Sequence, residues 1–309
     1  MLRRTSTLAF IASALAGVVA VAQQTPVRTG DPVKRGLPLS DFPRTIQVAD
    51  NVYTYEDFHA GPEKFTTTNM FVVTDAGVLV ADGQGSVAET KGLVDAVRKV
   101  TPKPITTVVI ASDHGDHTAG NASFPAGVKY IIHPTSKAIL DAARNGWKPP
   151  TDAALVSDRL SMTLGGESID ILFLGRSHTG GDLAVWLPRE KILFLSEIYL
   201  NRLFPAMRSA YPSEWLKALD KAEAMNANIY IAGHGFTETG PVSREELREY
   251  HQAMTAVIAE ATRLHKAGVP VEDAIKQANW GVYASWTLAS SQGPIAVRKV
   301  YLELDGALR

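Results

Sequence analysis

The sequence contains no cysteine. That excludes disulfide staples, thiolate metal ligands and a cysteine nucleophile, so any metal would have to be held by His, Asp, Glu and water. There is no excess of charge either. The 31 Lys and Arg against 32 Asp and Glu leave a formal net charge of −1, with no block of like sign. Such a chain is not suited to nucleic acid or an anionic membrane surface. No repeat of the solenoid kind is present. Apolar runs long enough to cross a membrane are also missing, because the one sustained stretch, residues 8–22, falls short of the roughly 20 residues a span needs. What remains is 309 residues with 45% hydrophobic and 20% charged, the composition of a globular protein of one large domain or two small ones.

The 8–22 run follows Arg3 and Arg4 and ends in Ala20, Val21 and Ala22, a small-x-small site before Gln23. This is the layout of a secretory signal peptide, and the arginine pair is of the twin-arginine kind. The expectation is a mature chain starting at Gln23, periplasmic or secreted, with no stable membrane anchor. Residues 23–44, punctuated by Pro26, Pro32, Gly36 and Pro38, read as an extended N-terminal segment.

From Thr45 strand-like patterns begin, with strands expected over 69–74 and 77–81 around an Asp75-Ala76-Gly77 turn. The second runs into Asp82. Leu93, Val94, Val97 and Val100 share one face of a helix over 87–100. Then comes the most informative stretch. Residues 105–110 (ITTVVI) read as a buried strand, and the chain breaks at once into Ser112, Asp113, His114, Gly115, Asp116 and His117. Two imidazoles and carboxylates at a strand end suit a divalent metal. Further strands are expected over 128–133, 160–164, 169–174, 183–187, 191–195 and 229–232. Helices are expected over 136–145 and over 212–225 with Ser213 as N-cap. His178 sits in a Gly-rich loop that ends at Asp182, His234 stands between Gly233 and Gly235, and Glu197 follows the 191–195 strand. His59 and His133 read as a surface and a structural histidine. After Gly240 the pattern turns helical. A capping box at Ser243 to Glu246 opens a helix to about 267, followed by helices over 271–279 and 294–304.

These motifs resemble those of the metallo-β-lactamase superfamily. Its His-x-His-x-Asp-His motif is met here by Ser112, His114, Asp116 and His117. Its His-Thr-x-Gly-Asp is met by His178 to Asp182, its Gly-His-Gly at His234, and its early strand-end aspartate at Asp82. The resemblance implies an αββα sandwich over residues 45–240, with 241–309 as a helical extension packed on it. It also implies a metal-dependent hydrolase in which a metal-activated water, as hydroxide, attacks an ester, lactam, lactone or thioester carbonyl of a small molecule. Asp116 would be both ligand and proton acceptor. One ion would take Asp116, His117 and His234. The other would take His114 and His178, with Ser112 standing where the family has a third imidazole. Serine is a weak zinc ligand, so one tight zinc and a second weak or absent ion are expected, with Asp113 or Ser112 as substitute ligands. Iron and manganese suit the same donors. Glu197 stands where many members have a bridging aspartate, and its extra methylene would require a shifted backbone. Asp82 and Asp182 would hydrogen-bond the ligand histidines. Two alternatives stay open at this point: an oxidoreductase of the sulfur-compound type on the same fold, and a non-catalytic binding protein with a degraded site.

Overall fold

The computed structural model describes residues 27–59 and 63–308; the expected signal peptide lies outside the described residues. Twelve strands alternate with seven α-helices. In chain order they are β1 (Arg44–Ala49), β2 (Val52–Phe58), β3 (Thr66–Thr74), β4 (Gly77–Ala81), α1 (Val87–Val100), β5 (Ile105–Ile110), α2 (Gly115–Thr118), β6 (Lys129–Ile132), α3 (Pro134–Ala142), β7 (Ala154–Leu155), β8 (Arg159–Leu164), β9 (Glu167–Leu172), β10 (Ala184–Leu187), β11 (Ile192–Leu200), α4 (Pro212–Ala224), β12 (Ile229–His234), α5 (Gly240–Lys266), α6 (Val271–Gln277) and α7 (Ala289–Leu304).

The strands run in the order β7-β6-β5-β4-β3-β12-β11-β10-β9-β8, with the β1–β2 hairpin added along β3. Only one residue pair, His234 opposite Thr67, joins the half ending in β3 to the half beginning at β12. The two halves fold face to face, and the alternation of side chains along each strand records it. Leu79 and Ala81 of β4, Phe194 of β11 and Ile231 of β12 meet in one shared inner core. Val78 and Val80 turn outward onto α1 with Leu93 and Val97. Leu193, Leu195, Tyr230 and Ala232 turn the other way, onto α4, α5 and α7. The result is a helix–sheet–sheet–helix sandwich. Covered on both sides, β11 is buried at every position, Ser196 and Glu197 included.

Local signals set most boundaries. Ser86 caps α1 by accepting the Glu89 N–H at 3.2 Å. Four expectations are corrected. Ser243 does not start the long helix: α5 begins at Gly240, and the Ser243 hydroxyl accepts the Tyr230 N–H at 2.8 Å while Glu246 pairs with Arg202. Ser213 is not an N-cap but lies in the first turn of α4, bonded to the Glu303 carboxylate of α7. Helix α3 starts at Pro134, two residues before Ser136, because the His133 ring nitrogen caps it by accepting the Thr135 N–H. Proline also does not open the last helix: α7 begins at Ala289 and carries Pro294 within it.

Candidate metal centre

The loops at one edge of the sandwich bring together residues more than 120 positions apart in the chain. Asp82, just past β4, is fully buried with φ of +62°. One of its oxygens accepts the N–H groups of Ala111 (2.7 Å) and Ser112 (3.3 Å), fixing the loop after β5. The other faces His117 Nδ1 at 3.1 Å and accepts the Ser196 hydroxyl. Asp82 thus aims the imidazole of His117 in the manner of a carboxylate behind a ligand histidine.

Two donor sets converge. Asp116, His117, His234 and Glu197 form one. His234 Nε2 lies 3.3 Å from His117 Nε2 and 3.1 Å from Asp116 Oδ2, and its Nδ1 is held on the Thr66 carbonyl at 3.0 Å. His114, His178 and Glu197 form the other, with His178 Nε2 3.1 Å from His114 Nδ1. A tetrahedral ion with bonds of about 2.0–2.1 Å separates neighbouring nitrogens by roughly 3.3 Å. Both imidazole pairs stand at about that spacing, so the residues fit a metal of this kind.

Glu197 belongs to both sets. Its Oε1 is 2.9 Å from His178 Nε2 and 3.4 Å from His234 Nε2, and its Oε2 is 2.9 Å from His114 Nδ1. The backbone shift that a glutamate needs is present. Glu197 does not follow β11 but lies inside it, past Ser196 at φ of +47°, where the ladder to β12 slips register. Gly233 makes this slip fit: a Cβ there would stand 2.5 Å from the Ser196 carbonyl carbon. The Ser112 hydroxyl points at Glu197 Oε2 at 2.5 Å.

The charges are strongly coupled. Burial disfavours a charged His114, yet the adjoining Glu197 carboxylate outweighs it and pushes the imidazole up to about 9. Burial likewise opposes charge on His234, and hydrogen bonds to Asp116 and Glu197 push it up to about 10. Burial would raise Glu197, but the charges of His114, His178 and His117 hold it well below the usual carboxylate range. Asp116 is depressed too: burial and Glu197 work against it, and the hydrogen bonds of His234 and His59 prevail. The protons stand on the lone pairs that a metal would take.

Other expected residues fall differently. Asp113 is buried beside Ser136 and Asp182, outside both sets. Burial and then Asp182 push its carboxyl up to about 6. Asp182 touches no imidazole. Its oxygens accept the Ser177 hydroxyl (2.7 Å), the Thr179 N–H (2.6 Å) and the Thr179 hydroxyl (2.6 Å), so it braces the loop that carries His178. His59 is no mere surface residue: it stacks on Phe65 at 4.5 Å, with Nδ1 3.3 Å from Asp116 Oδ2. Trp215, which sequence reasoning missed, meets His178 edge-on at 5.2 Å and is locked by its indole N–H on the Ile198 carbonyl at 2.8 Å. Above the donors lies a cavity of about 260 Å³. Its walls include Phe65, Leu200, Leu203 and Arg208, and also Leu288, Gln292 and Ile295 from the C-terminal helical region. Nothing local in the sequence marks these last three, since they reach the site only through packing.

The sequence model of the metallo-beta-lactamase superfamily matches residues 64–234, more than half of the chain. Metallo-beta-lactamase IND-1 of Chryseobacterium indologenes is 24% identical over 202 residues, 63% of this chain and 83% of that one. The alpha subunit of 2,4-dinitroanisole O-demethylase from Nocardioides sp. is 21% identical over 202 residues, 64% of this chain, and the chain spans only 60% of that subunit's length. Among solved structures, a metallo-beta-lactamase from Pontibacter korlensis superposes with a TM-score of 0.60 at 18% identity, covering 68% of this chain and 98% of that one. The sec-alkylsulfatase Pisa1 from Pseudomonas sp. gives 0.68 at 16% identity, covering 88% of this chain and 51% of that one. With its sandwich, its strand-end donors and this match, the chain belongs to the metallo-beta-lactamase superfamily.

Proposed function

We propose that the protein is an exported hydrolase that holds two divalent ions, zinc before iron or manganese, and cleaves a carbonyl-centred bond of a small molecule with an apolar body. The observation that carries this reading is Glu197, whose oxygens lie 2.9 Å from His114 Nδ1 and His178 Nε2 of one donor set, with Oε1 also 3.4 Å from His234 Nε2 of the other. Ions bound there would supply Lewis acidity and lower the pKa of water towards 7. The chain's own residues do the rest. Asp116 Oδ2 faces both His234 and His59, so a proton taken up by Asp116 has His59 Nδ1 as its next acceptor at 3.3 Å. Trp215 and the braced 177–182 loop keep His178 in register. The apolar wall of Phe65, Leu203, Leu288 and Ile295 would bind the substrate body and keep bulk water away.

The test is hydrolysis of p-nitrophenyl esters and a chromogenic β-lactam before chelation, after chelation and after zinc return. Activity should vanish with chelator and come back with zinc, and His234→Ala should lose both activity and most bound metal while keeping its far-UV dichroism. Chelator-insensitive hydrolysis would sink the proposal, as would iron-dependent oxygen uptake in place of hydrolysis.

A further inference from the structure

Counting imidazoles alone, the set around His114 and His178 is one ligand short, and Ser112 marks the gap. The distances describe a filled position instead. Glu197 Oε2 lies 2.9 Å from His114 Nδ1 and 2.5 Å from the Ser112 hydroxyl, so the carboxylate already stands against both residues. We infer that Ser112 is the positioning residue of Glu197, and that the two form a matched pair in which a short side chain admits and holds a longer bridging carboxylate. This rests on the two-ion reading given above.

The frame around the pair is built for that task. The bulge at Ser196 turns Glu197 towards the donors, and the Ser196 hydroxyl ties the bulge to Asp82. Asp82 also takes the Ser112 N–H, so the root and the tip of Glu197 are fixed from the same loop. Ser112 has no freedom to do otherwise. It is fully buried, its hydroxyl accepts the His114 N–H at 3.2 Å, and its one proton is left to point at Glu197 Oε2. A carboxylate with three rotatable bonds between its root and its oxygens, against two in aspartate, gains more disorder when released, so the hydroxyl matters more here than beside a shorter side chain. The same crowding means that histidine at 112 would not simply add a ligand. Its ring would contest the volume occupied by Glu197 Oε2, and only a shorter acid at 197 would make room.

Two residues that share one volume and one hydrogen bond are expected to be non-additive. The experiment is calorimetric zinc titration of chelator-stripped protein, with cobalt(II) absorption intensity as a second readout of coordination number and urea melts of the metal-free proteins as a control for folding. Wild type should take up two ions. Ser112→Ala should weaken the weaker one by about 10- to 100-fold, the usual effect of losing a residue that orients a ligand, and Ser112→Thr, which keeps the hydroxyl, should stay near wild type. Ser112→His should also weaken it, and Ser112→His with Glu197→Asp should recover it. The pairing is overturned if Ser112→Ala leaves both affinities unchanged, or if Ser112→His alone tightens the second ion. One ion only in wild type would overturn the pairing and leave a metal hydrolase standing. No bound ion at all would overturn both.

Discussion

Gly233 is where the fold and the candidate site can be perturbed together. Its backbone φ is ordinary, so the need for glycine there is purely a matter of space. An added Cβ would sit 2.5 Å from the Ser196 carbonyl carbon, 2.8 Å from its oxygen and 2.9 Å from the Glu197 nitrogen. All three are backbone atoms of β11, which pairs in parallel with β12 and is buried along its whole length. Ordinary contact begins at about 3.4 Å, so Gly233→Ala must separate the two strands locally by close to an ångström. Overpacking in a core costs about 1–3 kcal/mol. Because no flexible side chain can yield here, the upper end, about 3 kcal/mol, is expected. The displaced segment is the bulge that aims Glu197, and Gly233 adjoins His234, so both donor sets should open as well. Urea denaturation of the chelated proteins would measure the first effect and zinc titration the second. An alanine variant within about 0.5 kcal/mol of wild type, the range of an innocuous surface change, and with unchanged zinc affinity would refute the claim that this close approach sets the position of Glu197.

Further expectations follow from the same residues. His114 and His234 are protonated at neutral pH in the chelated protein, with values of about 9 and 10 against an unfolded value of about 6.5. Their contribution to stability is therefore full below pH 6.5 and lost as pH rises through 9 and 10, so urea midpoints of chelated protein should fall over that window. The depressed Asp116 and Glu197 contribute above the ordinary carboxylate range and lose their contribution on acidification. Zinc uptake at pH 7 should release about two protons, read from calorimetry in buffers of different ionisation heat, and a release of none would contradict the assignment. A fragment ending at Gly240 should be insoluble or molten, because Leu247, Tyr250, Met254 and Val257 of α5 are fully buried against the sheet and each large apolar side chain contributes about 1.5–3 kcal/mol; a soluble fragment that unfolds cooperatively would show otherwise. Ile295→Trp should shrink the cavity and raise KM for long-chain esters more than for acetate, and equal effects on both would argue against a substrate wall on α7. Export is checked by N-terminal sequencing of the protein from the producing cells, expected to begin at Gln23 and refuted by a chain that retains Met1.

Much of this was readable before any coordinates. Metal donors arrive as short local patterns, so His114, Asp116 and His117 after an apolar strand, and His178 and His234 beside glycines, could be picked out one loop at a time. Helix α1 was legible because its apolar positions repeat on one face. What stayed hidden depends on tertiary placement. Over 192–195 and 229–232 both β11 and β12 are apolar on both faces, so their pattern cannot tell which face meets the inner core. The bulge at Ser196 has no local marker, and without it Glu197 could only be counted as a residue beyond a strand. The capping box at Ser243 is a true local preference overridden by packing: Gly240 and Pro241 already start the helix, and the hydroxyl is drawn to the Tyr230 N–H. His59 read as a surface residue because its contact, Asp116, is 57 positions away and nothing nearby in the chain signals it.

The match to the superfamily ends at residue 234, yet the cavity does not. Leu203 bridges Thr287, and the Phe204 N–H is held by the Thr287 carbonyl at 2.8 Å, so the loop that leaves β11 is tied to the entrance of α7. Leu288 then turns at φ of +74° and places itself, Gln292 and Ile295 along the cavity. Part of the wall that faces the donors is therefore built beyond the stretch that carries them. Metallo-beta-lactamase structures superpose on 67–69% of this chain, whereas the alkylsulfatase structures superpose on 85–88%. At these identities the comparison carries fold alone. Chemistry at the donors and choice of substrate body should accordingly be separable by mutation. Changes at Glu197 or His234 should act on metal uptake, while changes at Leu288 or Ile295 should act on which molecules reach it.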